Sequence, residues 1–351
     1  MLKFIQNFTY TILQIILLPL AILGALYAIN KEKIVSKRLD ISYTAGQVIQ
    51  GQWLMHYFKI RKDKNIIKFI KKFPAESHLA LYLMFFAAII ANRISGFIPK
   101  AIKKDILQEI SSYSFLFYRT KKFDQIIEEN INKVKQFVII GAGFDLRSIK
   151  FYNKDLKVFE LDQKNTQDIK IQTLKEAKIY KKNIKYINCD LNNYKWTDSL
   201  ITNGFKTYEK TLFLFESVSC YINKPTVENI YRKISNICPK GSLIAQDFYS
   251  TNFLHGNEFK RVKNGKRVVE NFGEPWDFTI DMTTNPKKEI NKLLSKNKLI
   301  NIKFILIEII LVTIGVLMAI AVNNWNTNRL IKIEVDNYLL EIRSEIQGGI
   351  K

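Results

Sequence analysis

The 351-residue chain is 47% hydrophobic and carries 54 basic against 32 acidic residues, a formal charge of +22. That composition excludes a disordered chain and allows one large domain or two smaller ones with a sizeable core. Lysine, isoleucine and asparagine occur throughout with no basic stripe interleaved with aromatics, so no nucleic-acid partner is expected, and the diffuse charge suits a protein lying against anionic lipid. Cys189, Cys220 and Cys238 are odd in number and widely spaced, and His56, His78 and His255 are scattered. Neither a disulfide framework nor a metal site is expected, and reduced thiols point to a cytosol-facing domain.

The chain opens with YTILQIILLPLAILGALYAI, residues 10–29, uncharged and long enough to cross a hydrocarbon core about 30 Å thick. Pro19 and Gly24 are tolerable in such a helix. Lys31, Lys33, Lys37 and Arg38 follow, against Lys3 before it, which places the chain after residue 30 in the cytosol. HLALYLMFFAAIIA, residues 78–91, is short for a span and reads as a buried or membrane-surface helix.

From residue 134 the pattern changes to short apolar strands alternating with helical stretches. QFVIIG, LKVFELD, IKYINCD, KTLFLFES and GSLIAQDF are the strand runs, with NTQDIKIQTLKEAKIY and KPTVENIYRKISNI among the helices. This predicts an α/β fold, a doubly wound and mostly parallel Rossmann-like sheet with helices on both faces, flanked by N- and C-terminal transmembrane helices. The expected division is a transmembrane helix over 1–30, a helical lid region over 31–130, a cofactor-binding domain over 131–303, a second transmembrane helix over 304–326 and a polar tail over 327–351. The second span, FILIEIILVTIGVLMAIAVNNWN, has Glu308 as its only charge, Trp325 at its far end and lysines crowded before it. Both spans then agree on one topology, with residues 31–303 in the cytosol and both termini outside.

Ligands of such sheets sit beyond the carboxyl ends of the strands. Gly141 and Gly143 follow the first strand, Asp162 ends the second, Asp190 and Leu191 follow the third, and Glu216 follows the fourth. Several of these also have a plain structural explanation, the glycines a tight turn, Asp162 a helix cap and Asp190 an Asx-turn, whereas Glu216 directly after TLFLF is costly to bury without a partner. Together they outline a nucleoside site. A dinucleotide fingerprint requires a third glycine where Leu146 stands, and Asp145 at the helix start would repel a pyrophosphate. S-adenosyl-L-methionine lacks phosphate and carries a sulfonium and an ammonium, so an acidic rim favours it. Asp162 would take the ribose hydroxyls and Asp190 the adenine amino group.

The segments FYRTKKFDQII, QFVIIGAGFDLRSIKF, VFELDQKNTQDIK, NCDLNNYKWTDSLITNGF and LFLFESVSCYI together resemble the leucine carboxyl methyltransferase family, which includes many bacterial S-adenosylmethionine-dependent methyltransferases. ISYTAGQVIQGQ is similar to an upstream Ser-x-Thr-Ala segment of that family and FGEPWDF to a later Gly-Glu-Pro signature. The resemblance implies that Arg119 grips the methionine carboxylate, that Gly141 and Gly143 underlie the cofactor, and that Asp162 binds ribose. It further implies that Asp190 and Leu191 hold adenine and that Glu216 faces the methionine end. Gln50 and Gln52 stand where a basic residue is common, and the family's last strands are expected to be missing, because the chain runs into an apolar tail. That tail, IEIILVTIGVLMAIAVNNWN followed by YLLEIRSEI, resembles a bacterial membrane-anchor family of unknown function. The function these features imply is a membrane-anchored O-methyltransferase acting on a carboxylate or hydroxyl of a small, lipid-like acceptor. A non-catalytic membrane protein retaining the cofactor domain is the second reading, and a nicotinamide oxidoreductase the third. No catalytic base is assigned; His255 sits in a lid region and reads as a surface histidine ahead of a base.

Overall fold

Five apolar runs in the middle of the chain become β1 (Gln136–Ile140), β2 (Lys157–Asp162), β3 (Ile184–Asn188), β4 (Thr211–Phe215) and β5 (Leu243–Asp247) in a computed structural model. The structure describes residues 2–97, 112–193, 195–251, 269–281, 293 and 303–307. A further strand, β6 (Lys303–Ile307), joins them. All strand pairs in the sheet are parallel, in the order β3-β2-β1-β4-β5-β6. Every residue of β1, β4 and β5 is buried, as a parallel sheet covered on both faces requires.

Alternate side chains feed two cores. Val138, Ile140, Phe213 and Phe215 pack with Trp196, Leu200, Val227 and Ile230 on one face. Phe137, Ile139, Leu212 and Leu214 pack on the other face with residues of the N-terminal helices, such as Leu116, Phe123 and Ile127. The helix α9 (Lys224–Ile237) shows the local logic: Asn223 accepts the Thr226 N–H at 2.9 Å, Pro225 enters the first turn, and Val227, Ile230, Tyr231 and Ile234 form the buried stripe. The crossovers between β1 and β4 are α6 (Arg147–Lys150), α7 (Lys164–Glu176) and α8 (Trp196–Thr202).

The described residues before the sheet form the helices α1 (Leu2–Leu39), α2 (Tyr43–Tyr57), α3 (Lys64–Ile70), α4 (His78–Ser95) and α5 (Ser112–Asn130). The first helix does not end at residue 30. It continues unbroken to Leu39, and α4 lies antiparallel along it. Lys31 Nζ donates to the Glu76 carbonyl at 2.6 Å at one end, and the Tyr10 and Phe97 rings meet at 5.1 Å at the other. Between them Gly24 sits so close to α4 that an added Cβ would lie 2.5 Å from the Met84 nitrogen. Residues 78–91 are therefore half of a helical hairpin.

A second correction concerns the carboxyl end. Residues 304–307, which the sequence presents as the start of a membrane helix, form β6 beside β5. The edge of β5 presents unpaired N–H and C=O groups that need a strand, and the Phe304-Ile305-Leu306-Ile307 run is chemically suited to supply one. The sheet is thus extended where the sequence suggests an open edge. Residues 308–351, with the rest of the expected span, lie outside the described residues.

At the foot of the hairpin two buried carboxylates face glutamines of α2. Gln47 donates to Glu32, and Gln50 donates to Glu76 at 2.5 Å. Burial pushes the Glu76 pKa up to about 8, with the Gln50 donor and Lys31 pulling against it. A carboxyl whose pKa rises on folding lends stability that is complete below its unfolded value, about 4.3, and is lost as pH climbs towards 8. Glu76→Gln is therefore expected to melt higher relative to the parent protein at pH 9 than at pH 5, read from thermal unfolding at the two pH values. An equal offset at both would contradict a neutral buried Glu76.

Candidate active site

Strand order reverses between β1 and β4, and open α/β sheets form their ligand crevice at such a switch point. A cavity of about 350 Å3 opens there, in the size range of small-molecule sites. Arg119, Gly141, Gly143, Asp162, Asp190, Leu191 and Glu216 all line it. The chain thus brings all seven sequence-derived site residues to one cavity.

The loop after β1 is shaped by its glycines. Gly141 has φ +67° and Gly143 φ +45°, conformations that strain any residue with a Cβ. A Cβ on Gly141 would run into both methyl groups of Val218, and one on Gly143 would stand 2.9 Å from Ala45 Cβ. Gly141→Ala is expected to destabilise the fold by about 1–3 kcal/mol, as overpacking does, with Val218→Ala in the same chain recovering part of it. Denaturant titration of the single and double variants checks this.

Asp162 locks the loop. One carboxylate oxygen accepts the Gly143 N–H at 2.5 Å and the other the Gln163 N–H at 2.7 Å. It does not cap α7, whose N-cap is Gln163 without a side-chain bond. Burial pushes the Asp162 pKa up, and the two N–H donors work against that shift. Asp190 does form the Asx-turn that its sequence allows: its Oδ1 accepts the Asn192 backbone N–H at 2.9 Å and the Asn192 side-chain amide at 3.0 Å. Leu191 beside it is buried. Glu160, two residues before Asp162, turns away from the rim and pairs with the buried Lys170 at 2.7 Å.

Glu216 is less exposed and less available than its place after β4 suggests. Its Oε1 meets Arg119 Nε at 2.9 Å and its Oε2 meets Arg147 Nη1 at 2.5 Å. Arg119 also donates to the Ser217 hydroxyl, and Ser217 gives its N–H and hydroxyl to Asp247 at 2.7 and 3.1 Å. Ser217 holds a φ of +54°, so the serine bridge occupies a backbone conformation better suited to glycine. Arg147, wholly buried, joins this group to a second one. Its Nε donates to Asp124 Oδ1 at 2.7 Å, its Nη2 to the Thr120 carbonyl at 3.1 Å, and its Nη1 also to Asp145. Asp124 in turn accepts from Arg61 Nε at 2.7 Å and from Lys150. Burial opposes the Asp124 charge, but Arg147, Arg61 and Lys150 together hold its pKa well below the usual carboxylate range.

This network alters the weight of Asp145. The residue is ion-paired with Arg147, so its charge counts for less against a phosphate than the bare sequence implies. The missing third glycine retains its weight: Leu146 is fully buried, and the helix that follows is only four residues long. The strand order itself is shared with dinucleotide-binding sheets and does not discriminate.

The far wall joins two segments more than 200 residues apart in sequence. Glu274 accepts the backbone N–H groups of Tyr43 and Thr44, each at 3.1 Å, and Ser42 accepts that of Ala45, so the first turn of α2 is capped from two directions. The Phe272 ring stacks on Tyr43 at 3.8 Å. These contacts fix Ser42, Thr44 and Ala45 as a wall of the cavity. Gln50 sits at the foot of the hairpin and Gln52 is buried, and neither lines the cavity. Among the described residues no group of His, Cys, Asp and Glu could hold a metal ion, and His255 lies outside them.

The family described as leucine carboxyl methyltransferase matches residues 69–235, somewhat less than half of the chain. YktD of Bacillus subtilis (strain 168), provisionally assigned as an S-adenosyl-L-methionine-dependent methyltransferase, is 28% identical over 197 residues, covering 55% of this chain and 64% of its own. A protein of Parafrankia sp. (strain EAN1pec) with the same provisional assignment is 24% identical over 135 residues, covering 38% and 43%. The chain spans less than two thirds of the length of these curated relatives. An O-methyltransferase family protein from Burkholderia thailandensis superposes with a TM-score of 0.39 at 8% identity over 72% of this chain and 66% of its own, too distant to add to the strand order.

Proposed function

We propose that the chain is an S-adenosyl-L-methionine-dependent methyltransferase that works at a membrane and methylates a carboxylate or hydroxyl oxygen of a small, lipophilic acceptor. The observation that carries the cofactor reading is the convergence of Gly141, Gly143, Asp162, Asp190, Glu216 and Arg119 on one cavity at the sheet's switch point. The residue types fit the cofactor. The glycine loop forms one wall of the cavity, and Asp162 brings carboxylate lone pairs to its edge, where a ribose diol can donate. Asp190 and Leu191 offer a polar edge and an apolar face to a base. Arg119 supplies a guanidinium suited to a carboxylate.

Bound there, the cofactor supplies an electrophilic methyl group on a sulfonium. The chain's own task is alignment and exclusion of water. Asp162 holds the glycine loop, the Glu216–Arg119–Ser217–Asp247 cluster fixes the opposite side, and the stacked Tyr43 and Phe272 close the wall beside α2. An acceptor carboxylate is already ionised at neutral pH and needs no base from the protein.

The membrane part of the proposal is supported by the long apolar surface of α1 and by the chain's positive charge. Incubating the full-length protein with methyl-labelled cofactor and bacterial lipid extracts tests the reading. Label transferred to a base-labile or ether-linked lipid-soluble product supports it. Cofactor binding without transfer to any extract would reduce the chain to a cofactor-binding module.

A further inference from the structure

The long N-terminal helix does not stand alone, and its partner decides how it meets lipid. No charged side chain occurs between Lys3 and Lys31 in α1, or between His78 and Asn92 in α4. Along α1, Phe4, Phe8, Ile15, Leu23 and Leu26 are each more than half exposed. At 3.6 residues per turn the exposed apolar positions of α1 cover an arc of about 200°, twice the stripe of about 100° that a helix buries against a packed neighbour. The rest of the circumference carries Tyr10, Gly24 and Lys31, which touch Phe97 just beyond α4, α4 itself and the turn before it. An arc that wide is matched by a continuous apolar medium, and one partner helix would leave much of it in water. Lys31, Lys33, Lys37 and Arg38 sit where the arc ends, complementary to anionic headgroups.

The two ends of α4 are tied to the same domain. Its first turns pack on α2, with Tyr82 5.5 Å from Tyr57 and Phe85 6.1 Å from Trp53, ring to ring. Beyond Phe97 the chain must return to α5, where Leu116 is buried in the core of the sheet domain. The connecting sequence, residues 98–111, contains Lys100, Lys103, Lys104, Asp105 and Glu109. Were α4 to cross a bilayer, those five charges would have to cross back, and a charged side chain at the bilayer centre is costly on every scale. Since α1 runs beside α4 from Lys31 to Tyr10, it occupies the same depth.

We infer that α1 and α4 form a monotopic hairpin that beds in the cytosolic leaflet without crossing, with both Leu2 and Phe97 on the side of the catalytic domain. This rests on the membrane part of the proposed function and replaces the crossing helix with an external N-terminus that the sequence alone suggests. Such a hairpin would hold the cavity beside the leaflet from which a lipophilic acceptor is drawn, since α2 links the two: Trp53 and Tyr57 touch the hairpin, and Ser42, Thr44 and Ala45 line the cavity.

A protease site placed ahead of Leu2 in the full-length chain, expressed in bacterial cells, tests the topology. It should be cut in sealed inside-out membrane vesicles and protected in right-side-out ones. Cutting in right-side-out vesicles alone would overturn the inference while leaving membrane attachment intact. A wild-type chain found wholly in the soluble fraction, as monomer or as a dimer through this face, would overturn both. A second variant, Phe8→Lys with Ile15→Lys and Leu23→Lys, changes only exposed positions remote from the cavity. It should keep the parent's cofactor affinity and shift at least tenfold towards the soluble fraction; a variant that stays on the membrane would show that the hairpin is not the anchor.

Discussion

Replacing Arg147 by methionine is expected to cost about 3–5 kcal/mol of folding stability, the range for breaking a buried ion pair by removing one partner. The reason lies in how many groups depend on it. Its guanidinium meets Asp124, Asp145, Glu216 and the Thr120 carbonyl from a fully buried position, linking α5, the glycine-loop helix and the end of β4. Methionine fills much of the volume but leaves two buried carboxylates short of a donor. Asp124 would still have Arg61 and Lys150, and Glu216 would still have Arg119, so the fold should weaken without failing. Arg147→Lys should recover only part, because one ammonium cannot serve three carboxylates in the geometry of a planar fork. Denaturant unfolding of the three proteins gives the ordering. A methionine variant as stable as the parent would mean that the network contributes specificity and little stability.

The second large effect is expected at Asp162, and it falls on binding. Asp162→Ala removes the acceptor that holds the Gly143 and Gln163 N–H groups and the carboxylate proposed to take the ribose hydroxyls. Hydrogen bonds to a charged acceptor contribute about 1.5–3 kcal/mol each. Losing the two to ribose therefore predicts cofactor affinity lower by about two orders of magnitude or more. Asp162→Asn keeps one acceptor oxygen and should fall between. Calorimetric titration with S-adenosylhomocysteine reads the series, and an alanine variant that binds as tightly as the parent would remove Asp162 from the site.

Much of this site is legible in the sequence because strands announce their own ends. An apolar run such as QFVII or TLFLF reads here as a buried strand, and a glycine pair or a carboxylate directly after it has to sit at the sheet's edge. The partners of those residues are not legible. Arg147 follows Asp145 by two residues at the start of a short helix, and a basic residue in such a place ordinarily reads as solvated. Only the fold gathers Asp124, Asp145 and Glu216 around it, from three separate segments of the chain.

Asp247 and Ser217 are hidden for a similar reason. Asp247 ends a strand run and has nothing beside it in sequence to mark a role, and Ser217 gives no sign in sequence of its positive φ. The pairing of α1 with α4 depends on a backbone approach at Gly24 that no local pattern encodes. Residues 304–307 read as membrane because they continue into a longer apolar run, whereas the need that places them is the open edge of β5, distant in sequence.

What occupies the cavity between the glycine loop and Glu216 decides whether the cofactor assignment stands. A crystal structure of the full-length protein grown with S-adenosylhomocysteine tests it most directly. The nucleoside is expected in that cavity, its ribose hydroxyls on Asp162 and its base beside Asp190 and Leu191. Ligand bound elsewhere, or a cavity that takes NAD and refuses S-adenosylhomocysteine, would contradict the assignment.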